Sequence, residues 1–423
     1  MPKSYGNLSL WSIYIVSIGV SSAEAGLHHA WDTRITPRGQ TMQILPSKRI
    51  AVLGAGQIGA VIAAMLAEQG HAVTLADADP AQLALAEGGA VRTARLDVAD
   101  PAALRAFLAD RDVVVSACPY FLNKGIAGAA VATGTHYFDL TEDVETTGFI
   151  KQLGATAEVA LVPQCGLAPG FICILGADMA ARFEKLKAVK MRVGALPLYP
   201  TNALAYNVTW SVDGLINEYC NPCEIVFEGK PILVPALEGL EHVMIDGVSY
   251  EAFNTSGGLG TLTETLDGKV SDLSYKTLRY PGHAEIMKLL LRGLELADDR
   301  DTLRRILNRA APFTRKDVVV VFVTGVGERN GRLEEESTVL RYYGTPEMSA
   351  IQLTTAAGCV AMVELFLMGQ LPAKGFVRQE EAGLADFLST QAGLRLAPGF
   401  AATPRAEGGA AAASNGIPLR KAG

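Results

Sequence analysis

The sequence has little positive charge, and what it has is scattered. The 423 residues carry 37 lysines and arginines against 44 acids, a formal net charge of −7, and no basic cluster interleaved with aromatic residues. Nucleic acids and anionic membranes bind through such clusters, so we expect neither as a partner. Apolar residues make up 49%, and the chain is too long for one simple core, so we expect two or three domains.

Cysteines are also few, and they are far apart in the chain. The six are Cys118, Cys165, Cys173, Cys220, Cys223 and Cys359. This scatter is typical of reduced intracellular thiols, so we expect a cytoplasmic protein. Cys220 and Cys223 form a C-x-x-C, but no second pair or nearby histidine accompanies them, and we expect no metal site.

Long apolar stretches are rare beyond the N-terminus. Residues 10–20, followed by Ala23-Glu-Ala25, resemble a signal-peptide core and cleavage site. We favour the alternative that residues 1–46 are a disordered extension or the product of a mis-assigned start, because Met42 lies just before the first predicted strand. The apolar run at 356–368 carries a glutamate and is too short for a bilayer, so it predicts a buried helix.

A glycine-rich turn is the most informative motif. Residues 49–53 predict a strand and 60–69 a helix, and Gly54, Gly56 and Gly59 stand between them as G-x-G-x-x-G. Such a turn brings a dinucleotide's pyrophosphate against bare backbone amides and packs the helix closely on the strand. We therefore predict a dinucleotide site at Gly54, Gly56, Gln57, Ile58 and Gly59.

A carboxylate at the end of the second predicted strand indicates which dinucleotide binds. Asp77 follows the glycines at about the 20-residue spacing of an acid that binds the adenosine ribose hydroxyls. Since it would repel a 2′-phosphate, we predict NAD, with NADP less favoured. Asp97 and Val98, after the third strand, would flank the adenine. Cys118 and Pro119, after the fourth, would lie at the same edge of the sheet.

Strands and helices continue to alternate up to about residue 166. After the first two, the predicted strands lie at 91–97, 112–117, 136–139 and 160–164. Strands alternating with helices predict a doubly wound parallel sheet, the α/β Rossmann arrangement.

The pattern then changes to strands that look antiparallel. They are predicted at 189–194, 223–227, 244–246, 248–253, 317–326 and 337–343. We assign 47–166 plus part of 345–385 to the Rossmann domain and 167–344 to a second, α+β substrate and dimerisation domain. Residues 400–423 predict a disordered tail.

Several short segments carry a family resemblance. They are Ala-Cys-Pro-Tyr at 117–120, Cys-Gly-Leu-Ala-Pro-Gly at 165–170, Thr-Trp-Ser at 209–211 with Leu-Ile-Asn-Glu-Tyr at 215–219, and Thr-Leu-Arg-Tyr-Pro-Gly-His at 277–283. Together they resemble the saccharopine dehydrogenase family, and within it the lysine 6-dehydrogenase branch, over about residues 48–385.

That resemblance implies a nicotinamide-dependent enzyme acting on a carbon–nitrogen bond of an amino acid. Saccharopine-forming members have Asp where Ala168 stands, so a smaller substrate is implied. We expect oxidative deamination of the lysine ε-amine to the semialdehyde or cyclic imine. Reductive condensation of the saccharopine or carboxynorspermidine dehydrogenase type is one alternative. A non-catalytic NAD-binding protein is another.

The resemblance also implies that Pro119, Tyr120 and Asp139 line the site. Hydride loss requires a neutral amine, and lysine's amine titrates near ~10.4, so the site needs a base. His283, His136 and Asp139 are the candidates, and the choice stays open.

Other residues are candidates for holding the substrate. Arg279 would pair with its carboxylate, and Ser256 lies in a second possible carboxylate cradle. Tyr206 and Trp210 would wall the alkyl chain. We also expect a homodimer, the commonest oligomer.

Overall fold

The computed structural model describes residues 46–84 and 89–398. The tail predicted at 400–423 and all but the last residue of the extension predicted at 1–46 lie outside these residues. The sequence also predicts a helix over 80–87, of which the structure describes Pro80–Ala84.

Seven parallel strands form the first sheet. They are β1 (Arg49–Leu53), β2 (Ala72–Asp77), β3 (Arg92–Arg95), β4 (Val113–Ser116), β5 (His136–Asp139), β6 (Ala160–Val162) and β15 (Gly375–Phe376). Their order, β15-β6-β5-β4-β1-β2-β3, contains the doubly wound order 3-2-1-4-5-6. The predicted Rossmann fold is confirmed. β15 arrives from the far end of the chain and pairs parallel with β6.

Helices cross over between these strands. They are α1 (Gln57–Glu68), α2 (Pro80–Ala84), α3 (Pro101–Leu108), α4 (Asn123–Thr133) and α5 (Val144–Gly154). Local chemistry sets where they begin. Asp100 caps α3 by accepting from the amides of Ala102 and Ala103, and Asp143 caps α5 by accepting from Thr146. The sequence pattern predicts a helix over 147–158, and the second cap starts α5 three residues earlier.

Eight strands form a second, mixed sheet. They are β7 (Lys185–Pro197), β8 (Cys223–Phe227), β9 (Lys230–Val234), β10 (Glu241–Ile245), β11 (Val248–Asn254), β12 (Asp272–Arg279), β13 (Asp317–Arg329) and β14 (Arg332–Tyr343). The main path is β10-β11-β12-β7-β13-β14, with β8 and β9 attached to β12. β12 runs parallel to β7, so the sheet is not purely antiparallel as the sequence suggested.

The remaining α-helices come after β6 in the chain. They are α6 (Phe171–Ala180), α7 (Val212–Cys220), α8 (Leu262–Thr265), α9 (His283–Lys288), α10 (Arg300–Ala310), α11 (Ala350–Leu367) and α12 (Leu384–Ser389). α11 packs against α1, where the Nε2 of Gln352 donates to the Oε1 of Gln57 at 2.8 Å. Of the helices in the described residues, only α11 is long and apolar enough to cross a membrane, and 78% of it is buried inside the protein.

Candidate active site

A cavity of about 280 Å³ lies where the two sheets meet. Its roof consists of the loops that follow β4, β5 and β6 in the first sheet, and its floor is the second sheet. Residues of α1 and α11, among them Ile58 and Thr355, close one side. Ligands of doubly wound sheets bind outside the carboxyl ends of the strands, so this cavity lies where the fold predicts a ligand.

Alternate residues of one strand form much of the floor. Tyr275, Thr277 and Arg279 line the cavity from β12, and Val193 and Ala195 line it from the neighbouring β7. Successive side chains of a strand point to opposite faces, so residues two apart share one face of the sheet. Thr277 and Val193 are direct partners in the parallel register. The strand that sequence reasoning missed therefore supplies most of the floor.

Helix α7 forms a wall. The side chain of Ser211 caps it by accepting from the amide of Gly214 at 3.1 Å. Gly214 and Glu218 are four residues apart, so they lie on the same helix face, and both line the cavity. Asp213, also in the lining, is paired with Arg304 of α10 at 2.6 Å.

Arg279 is held rigidly in the floor. Its side chain is almost fully buried, and its Nε donates to the hydroxyl of Tyr219 at 3.0 Å. Its Nη1 donates to the carbonyl of Leu278 at 2.9 Å, and its guanidinium lies 4.8 Å from the ring centre of Tyr206. The aromatic face and the two hydrogen bonds fix the planar fork, which suits it to bind a carboxylate.

Glu142 is an acid in the roof, on the loop after β5. Its Oε1 is buried and has no hydrogen-bond partner among the described residues. Loss of hydration, with a smaller contribution from Asp143 and Asp139, raises the pKa of Glu142 to about 7. A carboxyl in such an environment can hold or release a proton near neutral pH.

Glu218 is a second acid facing the same cavity. It is 7% exposed, and burial followed by the charge of Glu142 raises its pKa, while Arg279 acts in the opposite direction. Within the described residues it makes no ion pair at 4.0 Å or less. Among the described residues, the cavity therefore contains two carboxyls that have no hydrogen-bond or ion-pair partner, and one fixed guanidinium.

The glycine-rich turn opens beside this cavity. Gly54 adopts a φ of +96°, which favours glycine, and a Cβ at Gly59 would collide with the carbonyl oxygen of Gly54. A Cβ at Gly56 would meet nothing within 4 Å, so this backbone is open to the cleft. The three positions match the three glycine roles that a dinucleotide needs.

Asp77 lies at the end of β2, next to the turn. Its Oδ2 accepts from the amide of Ala55 at 2.7 Å and its Oδ1 from Asp79 at 2.9 Å. Asp97 and Val98 follow β3 at the same edge of the sheet. Asp97 is exposed and accepts from the amide of Ala99 at 2.9 Å. The structure therefore groups the predicted cofactor residues at one edge.

Several predicted site residues line the cavity. They are Ile58, Cys118, Pro119, Tyr120, Trp210 and Arg279. Tyr120 lies in the roof next to Pro119, and burial raises the pKa of its phenol, which therefore stays protonated. Tyr206 lies beneath Arg279 and is not in the lining.

Asp139 lies behind the roof instead of in it. Its carboxylate is fully buried and accepts from the hydroxyl of Tyr137 at 2.7 Å and from the amides of Thr141 and Gln164. These bonds join the loops after β5 and β6, so Asp139 positions the loop that carries Glu142.

The predicted histidines also lie away from the cavity lining. His283 is 1% exposed, within hydrogen-bond distance of the hydroxyl of Tyr219 and the carbonyl of Leu204. Burial, followed by the charge of Arg279, lowers its pKa to about 3. His136 accepts from the amide of Ala160 at 3.1 Å on the strand β5. Ser256 is buried, and its amide donates to the carbonyl of Glu218.

Sequence reasoning did not select four residues that now define the cavity. They are Glu142, Glu218, Tyr275 and Thr277. The helical spacing of Gly214 and Glu218 beside the Trp-Ser motif was a usable signal. No signal in the sequence brings the loop after β5 next to α7, because that contact depends on how the two domains pack.

Two family models match the chain in succession. The saccharopine dehydrogenase NADP binding domain matches residues 50–160, and the saccharopine dehydrogenase C-terminal domain matches residues 166–390. In the described part of the chain, no group of three or more metal-ligating side chains lies together.

Curated relatives and a solved structure agree with these models. The chain is 22% identical over 298 residues to saccharopine dehydrogenase [NADP(+), L-glutamate-forming] of Pyricularia oryzae, and 27% identical over 277 residues to the protein of that name from Saccharomyces cerevisiae. The matches cover 68% and 60% of this chain, and 66% and 60% of those proteins. The apo yeast enzyme superposes with a TM-score of 0.68 at 20% identity, over 81% of this chain and 96% of that one. The chain belongs to the saccharopine dehydrogenase family.

Proposed function

We propose that the chain is an NAD-linked dehydrogenase that oxidises the ε-carbon–nitrogen bond of lysine. The observation that supports this most is a cavity, next to the glycine-rich turn, that holds both a fixed guanidinium and unpaired carboxyls. Such a set suits a substrate that carries a carboxylate at one end and an amine at the other.

The charge balance of the cavity favours lysine over saccharopine. Among the described residues, Arg279 is the only basic one in the lining, against the acids Glu142, Glu218 and Asp213, the last of which is paired with Arg304. Saccharopine carries three carboxylates, and two of them would face acids in a site of low dielectric. Lysine has one carboxylate and two amines, so its charges complement the lining.

Glu142 is the base in this proposal. Lysine arrives as an ammonium, which has no lone pair to assist hydride loss, and the ε-amine must give up a proton first. A carboxylate whose pKa is about 7 accepts that proton at neutral pH. When NAD is bound at the glycine turn, its nicotinamide ring supplies the hydride acceptor. Asp139 holds the loop of Glu142 in place, and Arg279 binds the α-carboxylate.

The preference for NAD is likewise proposed. Two acids, Asp77 and Asp79, stand at the end of β2, where a 2′-phosphate would lie in NADP. The names of the two curated relatives give NADP(+) as their cofactor. Arg95 of β3 is the register partner of Asp77 and carries the opposite charge. The two acids outnumber it, so we expect NAD to be used better.

The test is turnover of a substrate panel by the purified full chain. Lysine, saccharopine and an aldehyde–amine pair are each assayed with NAD(H) and NADP(H), and the change in reduced-cofactor absorbance is followed. We expect lysine with NAD to give the highest kcat/KM. Faster oxidation of saccharopine, or condensation of the aldehyde and amine, would replace the lysine assignment. NAD binding by calorimetry without turnover of any amine would indicate a non-catalytic protein.

A further inference from the structure

We propose that Glu218 binds a second, non-reacting ammonium group of the substrate and thereby makes the site selective for amino acids with two amines. This inference rests on the proposed function, because it assigns the reacting amine to Glu142 and leaves Glu218 without a role in the chemistry. It concerns selectivity, so its test compares substrates with and without the second amine.

Glu218 lacks a partner in a place where acids need one. Asp213, in the same lining, is paired with Arg304, and Glu264, outside the lining, is paired with Lys151 and Arg378. Glu218 is more buried than either, yet it forms no ion pair and no side-chain hydrogen bond among the described residues. An unpaired buried carboxylate is costly, and a cation entering the cavity would offset that cost.

Glu218 lies near Arg279 but does not form an ion pair with it. Both residues line the cavity and their charges influence each other, but no guanidinium nitrogen of Arg279 lies within 4.0 Å of a carboxylate oxygen of Glu218. Two nitrogens of Arg279 are already committed to Tyr219 and Leu278. An α-amino acid carries its carboxylate and its α-ammonium on the same carbon. If Arg279 binds the carboxylate, the α-ammonium lies beside it, within reach of the neighbouring Glu218.

Glu218 and Glu142 differ in their charged neighbours. Glu142 belongs to the roof, on the loop after β5, and its charged neighbours are Asp143 and Asp139. Glu218 belongs to α7, and its charged neighbours are Glu142 and Arg279. The backbone carbonyl of Glu218 also accepts from Ser256 at 3.1 Å, which anchors this turn of the helix. The two acids therefore lie close together, and of the two only Glu218 has Arg279 among its charged neighbours.

The experiment compares lysine with 6-aminohexanoate, which keeps the reacting amine and the carboxylate but lacks the α-amine. Wild-type enzyme should prefer lysine by about 10- to 100-fold in kcat/KM, as expected for one charge-assisted hydrogen bond. In Glu218→Gln this preference should fall at least about tenfold through loss of lysine turnover, with 6-aminohexanoate changed by less than about threefold. Glu224→Gln is the matched control, because Glu224 bonds to Thr263 outside the cavity, and it should keep the wild-type ratio.

Two results would overturn the inference. One is the same kcat/KM for lysine and 6-aminohexanoate in the wild type. The other is an equal loss of kcat/KM for both substrates in E218Q, with an unchanged melting temperature. If the wild type turns over neither, the proposed function fails, and calorimetry in the presence of NADH still decides the binding claim. Tighter binding of lysine than of 6-aminohexanoate, abolished in E218Q, would support the subsite, whereas equal binding would reject it.

Discussion

The two halves of the candidate site are encoded in different ways. The cofactor half is built mainly on a continuous stretch from β1 to Asp77, where the demands on backbone shape select glycine at set positions. The substrate half combines a loop after β5, a face of α7 and a face of β12. A local motif can reveal the first half, while the second exists only after the domains pack. Variants in each half should therefore alter different kinetic constants.

The largest effect should come from Glu142→Gln in the substrate half. Removing the proton acceptor should lower kcat for lysine by about 10²- to 10⁴-fold with little change in the affinity for NAD. Steady-state kinetics with calorimetric NAD titration measure both. Glu145→Gln is the control, since Glu145 is exposed and pairs with Lys124. A kcat within a fewfold of wild type would remove Glu142 from the mechanism.

Arg279→Lys should have the next largest effect. The charge stays, but the fixed fork and its bond to Tyr219 are lost, so kcat/KM for lysine should fall about 10- to 100-fold, mostly through KM. Arg305→Lys, at an exposed position on α10, should leave the kinetics unchanged. Cadaverine lacks the carboxylate. If Arg279→Lys lowered kcat/KM for cadaverine as much as for lysine, Arg279 would not be the group that binds the carboxylate.

Asp77→Ala tests the cofactor half. Removing this acid should weaken NAD binding, because a charge-assisted contact to the ribose hydroxyls is lost. It also removes the repulsion of the 2′-phosphate of NADP, so the ratio of kcat/KM for NAD to that for NADP should fall about tenfold. The KM for lysine should not change. Asp110→Ala, at an exposed position away from the cleft, is the control. A ratio already in favour of NADP in the wild type would contradict the proposed preference.

His283→Gln should have the smallest effect on catalysis. Because His283 is buried away from the cavity lining, kcat should stay within about twofold, while loss of its contacts to Tyr219 and Leu204 should lower the free energy of unfolding by about 1–3 kcal/mol.

The difference in stability between the wild type and His283→Gln should depend on pH. The folded protein holds the pKa of His283 at about 3, below its ordinary 6.5, so the unfolded chain binds more protons between these values. The free energy of unfolding of the wild type therefore falls as pH drops below 6.5. The difference between this free energy and that of His283→Gln should become smaller over the same range. Chemical denaturation at several pH values measures this. A large loss of kcat at constant stability would return His283 to the mechanism.

The difference between the halves also explains what the sequence could predict. Gly54, Gly59 and Asp77 have the expected places because their requirements are local, and the Rossmann order and the family are confirmed. β12 was missed although Leu273, Tyr275 and Thr277 alternate with Ser274 and Lys276, which is the period of a half-buried strand. β9 was missed because most of its residues are exposed.

The candidate bases show most clearly what could not be predicted from the sequence. His283 was selected as a histidine in a loop and Asp139 from the family resemblance, but hydrogen bonds from distant segments occupy both of them. Glu142 was missed because its missing partner is a property of the packed protein. The homodimer and the cytoplasmic location stay predictions. Sedimentation and fractionation test them.

The most direct measurement is kcat/KM for lysine with saturating NAD, followed across pH in wild type and Glu142→Gln. A base must be deprotonated to act, so the wild-type value should rise through a pKa of about 7 and level off above it. That rise should vanish in Glu142→Gln, leaving a low rate that no longer follows this ionisation. The account would be contradicted if kcat/KM for lysine rose with pH in the same way in both proteins. It would also be contradicted if the wild type bound NAD but did not turn over lysine.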